Sequence, residues 1–377
     1  MKQKSLILAR YTVPFRTPFQ YATGTIEARE GFILGNGSNI WSEIAPLPGF
    51  SEESIEDAGS FLKSNWSAIL QHFQKSTLGK FLDDDTQNAG LESLPSVRFG
   101  LSMLDEQQKA IAAGLPLYSF WRNLWFSNPT IAKNYVYCNA LAHDETLDEL
   151  LQSIHLLKET GFRTVKIKLP GDAGRAYEII TETCARFPDI IFRYDANRSF
   201  SLPVTRELFK KLRSGFDSNQ TGTNIQYIEE PLSAPDDPSF SELRNFGISV
   251  AADESARTSA EVHSLTQSES VDFLVIKPML FGSFREMEAL IQSNISVTVS
   301  SVFETAVGRT LLAHIAALFN SNRETDHGLA TGPFLVNDVT PSMPGPHIKF
   351  NSNPGIGISP NIDQPWISPE PESRTTK

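Results

Sequence analysis

The chain has 377 residues, of which 40% are apolar and 20% charged, a composition typical of a folded protein with a large core. Its net charge of −11 argues against nucleic acid as a partner, because a phosphate backbone requires a basic face. The two cysteines, Cys138 and Cys184, fit no ligand or disulfide pattern. No stretch approaches the ~20 apolar residues needed to cross a bilayer. We therefore expect a soluble cytoplasmic protein with no membrane partner.

Residues 1–130 are predicted to form an α+β capping domain of three strands followed by helices. An apolar run over residues 6–13 is typical of a strand. Residues 14–24, rich in proline, glycine and aromatic residues, are predicted to be a loop. Two more strands follow, joined by a hairpin turn. Ser51 begins a pattern that resembles a capping box for the first helix, and Pro95 opens a later helix.

Residues 131–334 change to a strict alternation of strands and helices. Eight strands joined by helices predict a parallel sheet closed into a barrel. Chemistry in such barrels gathers at the C-terminal ends of the strands. Residues 366–377 are predicted to be disordered because they are polar and rich in proline. The strands are predicted near residues 135–142, 164–169, 191–197, 225–231, 249–254, 273–278, 296–303 and 327–332.

Three of these strands end in a carboxylate, at Asp195, Glu229 and Asp253. An ionised group in a buried strand has a high free-energy cost unless it is paired with an opposite charge or binds a metal. Each acid alone would more readily be a helix cap or a loop residue, but three on adjacent strands favour a site for Mg²⁺. Glu230 and Glu254 follow two of these acids. Strand alternation predicts that both point elsewhere and support the site by holding a lysine or an arginine.

Lysines flank the three acids. Lys166 and Lys168 share one face of their strand, and their mutual repulsion is expected to lower a lysine pKa toward that of a usable base. An isolated pair of this kind is more typical of a solvated edge strand, but the barrel context favours a reaction centre. Lys277 ends a strand across the site. Arg193 and Asn197 share the inward face of their strand with one of the acids.

The charged strand ends occur in the order KIK, DAN, EEP, DES and IKP, and this ordered set resembles the enolase superfamily, in its muconate-lactonizing branch. Residues 42–51, 95–100 and 300–308 more narrowly resemble the o-succinylbenzoate synthase family. The resemblance implies a (β/α)7β modified TIM barrel, an α/β fold, beneath an α+β capping domain that residues 335–365 complete. It also implies that residues 15–24 form a capping loop that closes the site against water.

The resemblance assigns roles to the strand-end groups. Asp195, Glu229 and Asp253 would bind Mg²⁺, with Mn²⁺ as the alternative cation. Lys168 would remove the α-proton of a carboxylate substrate, and Lys277 would stabilise the resulting enediolate. The implied reaction is the dehydration of 2-succinyl-6-hydroxy-2,4-cyclohexadiene-1-carboxylate (SHCHC) to o-succinylbenzoate in menaquinone biosynthesis. The succinyl carboxylate would lie near two residues, Ser300 and Ser301.

Two alternatives remain open at this point. A racemase of N-succinylamino acids or an epimerase of dipeptides would use the same two lysines, Lys168 and Lys277, as bases on opposite faces of the substrate. A barrel that binds a carboxylate without catalysis belongs to a different class, and the complete set of lysines and acids argues against it. The sequence predicts no oligomeric state.

Overall fold

The structure is a computed structural model that describes eight stretches of the chain. The predicted disordered tail, residues 366–377, lies outside these stretches. No helix in the described part is both long and apolar enough to cross a membrane. The described residues are 5–21, 24–84, 90–126, 133–143, 146–219, 224–321, 323–339 and 345–360.

The N-terminal region begins with an antiparallel sheet whose strands lie in chain order: β1 (Ile7–Tyr21), β2 (Gly24–Gly35) and β3 (Trp41–Ile44). The prediction of a loop over residues 14–24 was wrong for residues 14–21 and for residue 24, because β1 continues to Tyr21 and β2 begins at Gly24; residues 22 and 23 lie outside the described residues. Its pairing with β2 shifts register between Pro14 and Phe19. A proline is tolerated in a strand at an edge or at a bulge, and β1 is the edge strand of this sheet.

Four helices follow the sheet: α1 (Ile55–Lys75), α2 (Leu78–Leu82), α3 (Pro95–Ala112) and α4 (Leu117–Trp125). Helix α1 begins three residues after the predicted capping box, because Ser54, not Ser51, is its N-cap and pairs reciprocally with Asp57. Pro95 occupies the first position of α3, where its missing N–H costs no hydrogen bond. The apolar faces of α1 and α3 pack with β2 and β3 in a cluster of buried side chains.

Seven strands form one parallel sheet in which every strand pairs with its neighbour in sequence. Strand β4 (Tyr135–Tyr137) precedes them and pairs instead with β12 (His347–Lys349) near the C-terminus. The seven strands are β5 (Ala140–Ala142), β6 (Thr164–Lys168), β7 (Ile191–Asp195), β8 (Ile225–Glu229), β9 (Val250–Ala252), β10 (Phe273–Ile276) and β11 (Ser296–Val299).

Residues 327 and 328 close this sheet into a barrel. His327 donates its backbone N–H to Tyr137 and accepts from Asn139 through its carbonyl, both at 2.9 Å. Gly328 donates to Val299 at 2.8 Å on the other side. The eighth strand, predicted over residues 327–332, is thus reduced to two bridging residues. They still join the first and last strands of the sheet, and the predicted barrel is confirmed.

Helices connect the strands and cover the outside of the barrel, where strand and helix side chains pack in the main apolar cluster. Inside the barrel, Tyr227, Ala251 and Val275 form a separate, smaller apolar cluster. The helix predicted near residues 283–293 is a 3₁₀ turn (Phe284–Met287) followed by one short α-helix. The described residues of this region form eight α-helices: α5 (Leu147–Glu159), α6 (Ala173–Arg186), α7 (Leu202–Asn219), α8 (Asp237–Arg244), α9 (Ser259–Gln267), α10 (Pro278–Phe281), α11 (Glu288–Gln292) and α12 (Ala306–Phe319).

The segment that follows the barrel packs back on the N-terminal region. Phe15 of β1 forms an antiparallel bridge with Leu335, and Val336 donates its N–H to the Pro14 carbonyl at 2.8 Å. Leu117, at the start of α4, donates to the Gly355 carbonyl at the same distance. These contacts are those expected if residues 335–365 complete a capping domain, although the division into residues 1–130 and 131–334 stays a prediction.

Candidate active site

A cavity of about 510 Å³ lies at the C-terminal ends of the barrel strands. The end of the β1–β2 hairpin covers it with Phe19, Gln20 and Tyr21, and Leu47 and Phe50 contribute from beyond β3. The lining includes ten of the twelve predicted site residues: Lys166, Lys168, Asp195, Asn197, Glu229, Asp253, Glu254, Lys277, Ser300 and Ser301.

The register of the parallel strands brings the charged groups to one level. Lys168 pairs with Asp195 across β6 and β7, and Asp195 pairs with Glu229 across β7 and β8. Because side chains at paired positions of a parallel sheet point to the same face, all three enter the cavity. Lys166 lies one inward position below Lys168 on β6. The structure therefore brings these groups together at the strand ends, while their roles stay a prediction.

Two of the three lysines are paired with carboxylates. The Lys166 Nζ atom lies 2.7 Å from Asp195 Oδ2 and 2.8 Å from Glu229 Oε1. Burial alone would lower the pKa of Lys166, but the two carboxylates raise it well above its usual range. Lys277 pairs with both oxygens of Asp253. Burial opposes this pairing as well, yet Asp253 raises the pKa of Lys277, and Lys277 helps to lower the pKa of Asp253 to about 2.

Lys168 differs from the other two because it makes no ion pair with any described residue. Burial is the main cause of its lowered pKa; Asp195 opposes the shift, while Lys166 and Lys277 add to it. Its Nζ atom lies 5.6 Å from the centre of the Phe19 ring, at the apolar cover of the cavity. The pKa of Lys168 is lowered, which is the direction that the sequence predicts. Burial, however, contributes more to this shift than the repulsion between lysines on which the prediction rested.

The three acids fit a divalent cation by the chemistry of their donors. Glu229 Oε2 is buried and has no hydrogen-bond partner among the described residues. Burial, with Asp195 next, raises the pKa of Glu229 well above its usual range, so that its charge lacks sufficient compensation. No group of three potential ligands in the described part of the chain is already arranged around a metal position. Lys166 and Lys277 contact carboxylate oxygens of all three acids.

The predicted supporting residues divide into two kinds. Glu230 points away from the cavity, accepts hydrogen bonds from the backbone of Asp253 and Ser255, and pairs with Arg198 at 3.3 Å. The prediction that Glu254 also points elsewhere was wrong, since it lines the cavity. Strand β9 ends at residue 252, so strand alternation no longer applies at residue 254.

Arg193 of β7 and Asn197, two residues beyond the end of that strand, have different surroundings. The Asn197 N–H donates to Asp195 Oδ1 at 3.0 Å and so fixes that carboxylate. Arg193 is fully buried below the cavity. It donates hydrogen bonds to the side chains of Asn139, Gln226 and Thr325 and to the backbone carbonyl of Asp326. Arg193 therefore ties the strands together near the level where the barrel closes, and it is not part of the cavity lining.

Two residues that support the site were missed by the sequence reasoning. Arg198 reaches Glu230, and Glu304 accepts a hydrogen bond from Ser301 in the wall of the cavity. Phe19, which lies over Lys168, belongs instead to residues 15–24, the segment predicted to cap the site. A signal for the two missed residues was available, because both lie within a few residues of a motif. Their partners, however, are set by the tertiary fold.

The comparisons with known proteins agree with this fold. Residues 149–364 match the family model described as enolase C-terminal domain-like, and residues 3–107 match the MenC N-terminal domain. Among solved structures, the L-Ala-D/L-Glu epimerase from Bacillus subtilis has a TM-score of 0.77 at 22% identity, covering 95% of this chain and 98% of the epimerase. A dipeptide epimerase from Methylococcus capsulatus, solved with Mg and a dipeptide, also has a TM-score of 0.77, at 20% identity over 95% and 99% of the two chains.

Sequence relatives narrow the assignment. An o-succinylbenzoate synthase of Vibrio cholerae serotype O1 (strain M66-2) is 30% identical over 82% of this chain and 84% of its own length. The o-succinylbenzoate synthase of Yersinia pseudotuberculosis serotype O:3 is 30% identical over 94% and 98%. Barrel, cap and charged strand ends together define an enzyme of the enolase superfamily. Within it, the chain belongs to the o-succinylbenzoate synthase family.

Proposed function

We propose that the enzyme dehydrates SHCHC to o-succinylbenzoate, a step of menaquinone biosynthesis. The observation that carries the proposal is the contrast among the lysines in the cavity. Lys168 alone lacks a carboxylate partner among the described residues, and its lowered pKa favours a role as a base. The similarity to named o-succinylbenzoate synthases supports this substrate over others of the superfamily.

Asp195, Glu229 and Asp253 would hold Mg²⁺, or Mn²⁺ in its place. When bound, the cation would neutralise negative charge on the substrate carboxylate, which makes the adjacent C–H more acidic. The unpartnered Glu229 Oε2 atom supports this assignment, because a buried carboxylate oxygen loses its hydration and, without a bound cation, gains no interaction that compensates for the loss. Lys166 would remain beside Asp195 and Glu229 and keep their orientation.

The chain's own groups then perform the proton transfers. Lys168 takes the α-proton of the substrate, so that the C–H bond breaks and the proton moves to Nζ. The C–O bond to the ring hydroxyl breaks next, and Lys168 returns the same proton to that oxygen as water leaves. The ring becomes aromatic. One lysine serving both transfers implies a syn elimination.

The remaining groups bind and enclose the substrate. Lys277 places its positive charge across the cavity from Lys168, where it would stabilise the negative charge that develops on the substrate. Ser300 and Ser301 would lie near the succinyl carboxylate. Phe19 and Phe50 cover the cavity from the cap and exclude water, which strengthens the electrostatic interactions within it.

The proposal is tested by following the loss of SHCHC absorbance with the purified enzyme and Mg²⁺. We expect turnover that a chelator abolishes and added Mg²⁺ restores. Lys168→Ala should reduce kcat by about 10²–10⁴-fold, the usual contribution of a positioned acid–base group. The exposed Lys210→Ala provides the matched control and should turn over normally. An enzyme with no Mg²⁺-dependent turnover of SHCHC would refute the proposal.

Racemisation of an N-succinylamino acid or epimerisation of a dipeptide is the second candidate. It is favoured by one observation, since Lys168 and Lys277 both enter the cavity. Against it, Lys277 is paired with Asp253 and its raised pKa makes it a poor base. Exchange of the α-hydrogen of N-succinylamino acids in D₂O, without any dehydration of SHCHC, would favour this second activity.

A further inference from the structure

The turn between β11 and α12, residues 300–305, forms one wall of the cavity. It carries Ser300, Ser301 and Phe303, which all line the cavity. Phe303 has a φ of 62°, in the left-handed region that a residue with a side chain adopts only when its surroundings hold it there. Something in the structure must therefore stabilise this turn in the shape it has.

The hydroxyl of Ser301 is fully occupied within the turn. A serine hydroxyl has one proton to donate and two lone pairs that accept. Ser301 Oγ donates to Glu304 Oε2 at 2.5 Å, accepts from the Phe303 N–H at 2.9 Å and lies 2.8 Å from Thr331 Oγ1, which can donate to it. No proton of Ser301 remains for a substrate, whereas the Ser300 hydroxyl makes no hydrogen bond with a described residue.

Glu304 is the centre of these interactions. Its side chain is fully buried, and its Oε2 atom also accepts the Val302 N–H at 2.8 Å. Its Oε1 atom has no hydrogen-bond partner among the described residues. Burial, the largest cause, raises the pKa of Glu304. Only Oε2 accepts these two hydrogen bonds, and an amide oxygen at the same reach could accept both, so we expect reach to matter here more than charge.

The cap fastens the same turn from the opposite side. Arg29 of β2 donates from Nε to the Val302 carbonyl at 3.1 Å. Glu43 of β3 accepts from the Thr305 N–H at 3.0 Å and from the Gly308 N–H at 2.8 Å, at the N-terminus of α12. A Cβ atom at Gly308 would lie 2.5 Å from Glu304 Cβ and 2.8 Å from Glu43 Oε2, so this packing leaves no room for a side chain.

We infer that Glu304 is a positioning residue that shapes the substrate-binding turn: it takes the single proton of Ser301 and so leaves Ser300 to face the substrate. The inference rests on the proposed function for the identity of the substrate. It changes the expected role of Ser301, which acts through the turn and not through a hydrogen bond of its own to the substrate.

Three substitutions of Glu304 separate reach from charge. E304Q keeps the length and the acceptor oxygen, E304D keeps the carboxylate but is one methylene shorter, and E304A removes both. We expect KM for SHCHC to stay within about twofold in E304Q, and to rise severalfold in E304D and about tenfold in E304A, with kcat changing less than KM. A role based on charge would reverse the order of E304Q and E304D. That reversal, or an unchanged KM in a folded E304A, would overturn the inference.

Two further variants keep the test decisive if E304A does not fold. Gly308→Ala retains every hydrogen-bonding group and improves helix propensity, but its methyl group displaces Glu304 and Glu43, so KM should rise and the thermal midpoint should fall. In the double variant of S301A with E304D, KM should rise no further than in E304D alone, because the two residues act as one unit. An unchanged KM in G308A, or additive effects in the double variant, would contradict the inference.

Glu53 provides the matched control. It is also buried, accepts a backbone N–H from Ser96 at 2.7 Å, and has one oxygen without a partner among the described residues. E53A should lower stability with KM unchanged, which separates general destabilisation from an effect on the turn. The wild-type enzyme is measured first. If it does not turn over SHCHC, the proposed function fails, whereas a normal wild type with unaffected Glu304 variants defeats only the inference on Glu304.

Discussion

The two ends of the barrel treat buried polar groups in opposite ways. Near the closing residues, Arg193 makes four hydrogen bonds of 2.7–3.0 Å with neutral partners. At the other end, Glu229 and Glu254 each leave one buried oxygen without a partner among the described residues. The same strands thus contribute stability at one end and a reactive surface at the other. At the end with the carboxylates, buried oxygens without a hydrogen-bond partner lower the stability of the fold, and the same oxygens are available to bind a ligand.

The largest expected effect comes from neutralising an acid at the reactive end. Glu229→Gln should reduce turnover of SHCHC by more than about a hundredfold, since even residues that only support a metal ligand contribute 10–100-fold. In the absence of a divalent cation its unfolding free energy should not fall, because the raised pKa of Glu229 shows that its charge is costly in the folded state. Urea titrations with and without Mg²⁺ provide the measurement. If Glu229→Gln strongly lowered the unfolding free energy in the absence of the cation, the proposed difference between the two ends of the barrel would be wrong.

The opposite result is expected where the barrel closes. Asn320 accepts from the Thr325 N–H at 2.9 Å, lies 3.2 Å from His327 Nε2, and donates to the Thr325 carbonyl at 3.2 Å. Asn320→Ala should lower the unfolding free energy by about 1–3 kcal/mol, because these buried groups lose their partners. Its kcat and KM should remain those of the wild type. The neighbouring Ser321→Ala serves as a control that should change neither property.

A smaller effect is expected from pH. Burial lowers the pKa of His314 to about 4, and burial together with Arg193 lowers the pKa of His327 to about 3. Both folded-state values lie below the unfolded value of about 6.5, so the unfolded chain binds more protons in this range. Stability is therefore complete above about pH 6.5 and decreases as the pH falls toward 4 and then 3.

Urea titrations at pH 7, 6 and 5 measure this slope, which is at most about 1.4 kcal/mol per pH unit for each proton. His314→Gln should remove one proton's share of the slope, although the loss of its contacts with Tyr118 and Ile356 lowers stability at every pH. The exposed His155→Gln is the control. A slope in H314Q equal to that of the wild type would show that His314 does not contribute.

Much of the barrel and of the site could be predicted from the sequence, because a hydrophobic run followed by a charged group is a local pattern. Each of Lys168, Asp195 and Glu229 comes at the end of a hydrophobic run. Neighbouring strands pair with these ends aligned, so the three side chains lie at one level of the barrel. Glu254 was misplaced because strand β9 ends at residue 252, and the end of a strand is set by its neighbours. The pairings of Lys166 and Lys277 depend on distances across the barrel, which no local pattern contains.

The N-terminal hairpin illustrates another limit. Proline and glycine predicted a loop over residues 14–24, but an edge strand tolerates a proline that a central strand would not. The role of the segment as a cover for the cavity does not depend on its secondary structure. Its contacts with Leu335 and Pro333 join residues more than 300 positions apart, and only the folded chain shows them.

The closure of the barrel by residues 327 and 328 has a consequence for how the chain is made. Until those two residues leave the ribosome, β5 and β11 are open edges of a parallel sheet, and open edges invite pairing with other chains. About seven-eighths of the chain must therefore be synthesised before the sheet can close. During biosynthesis the open strands can aggregate until residues 327 and 328 bridge them. A substitution at either residue would therefore reduce the yield of folded enzyme, even if the folded molecule tolerates that substitution.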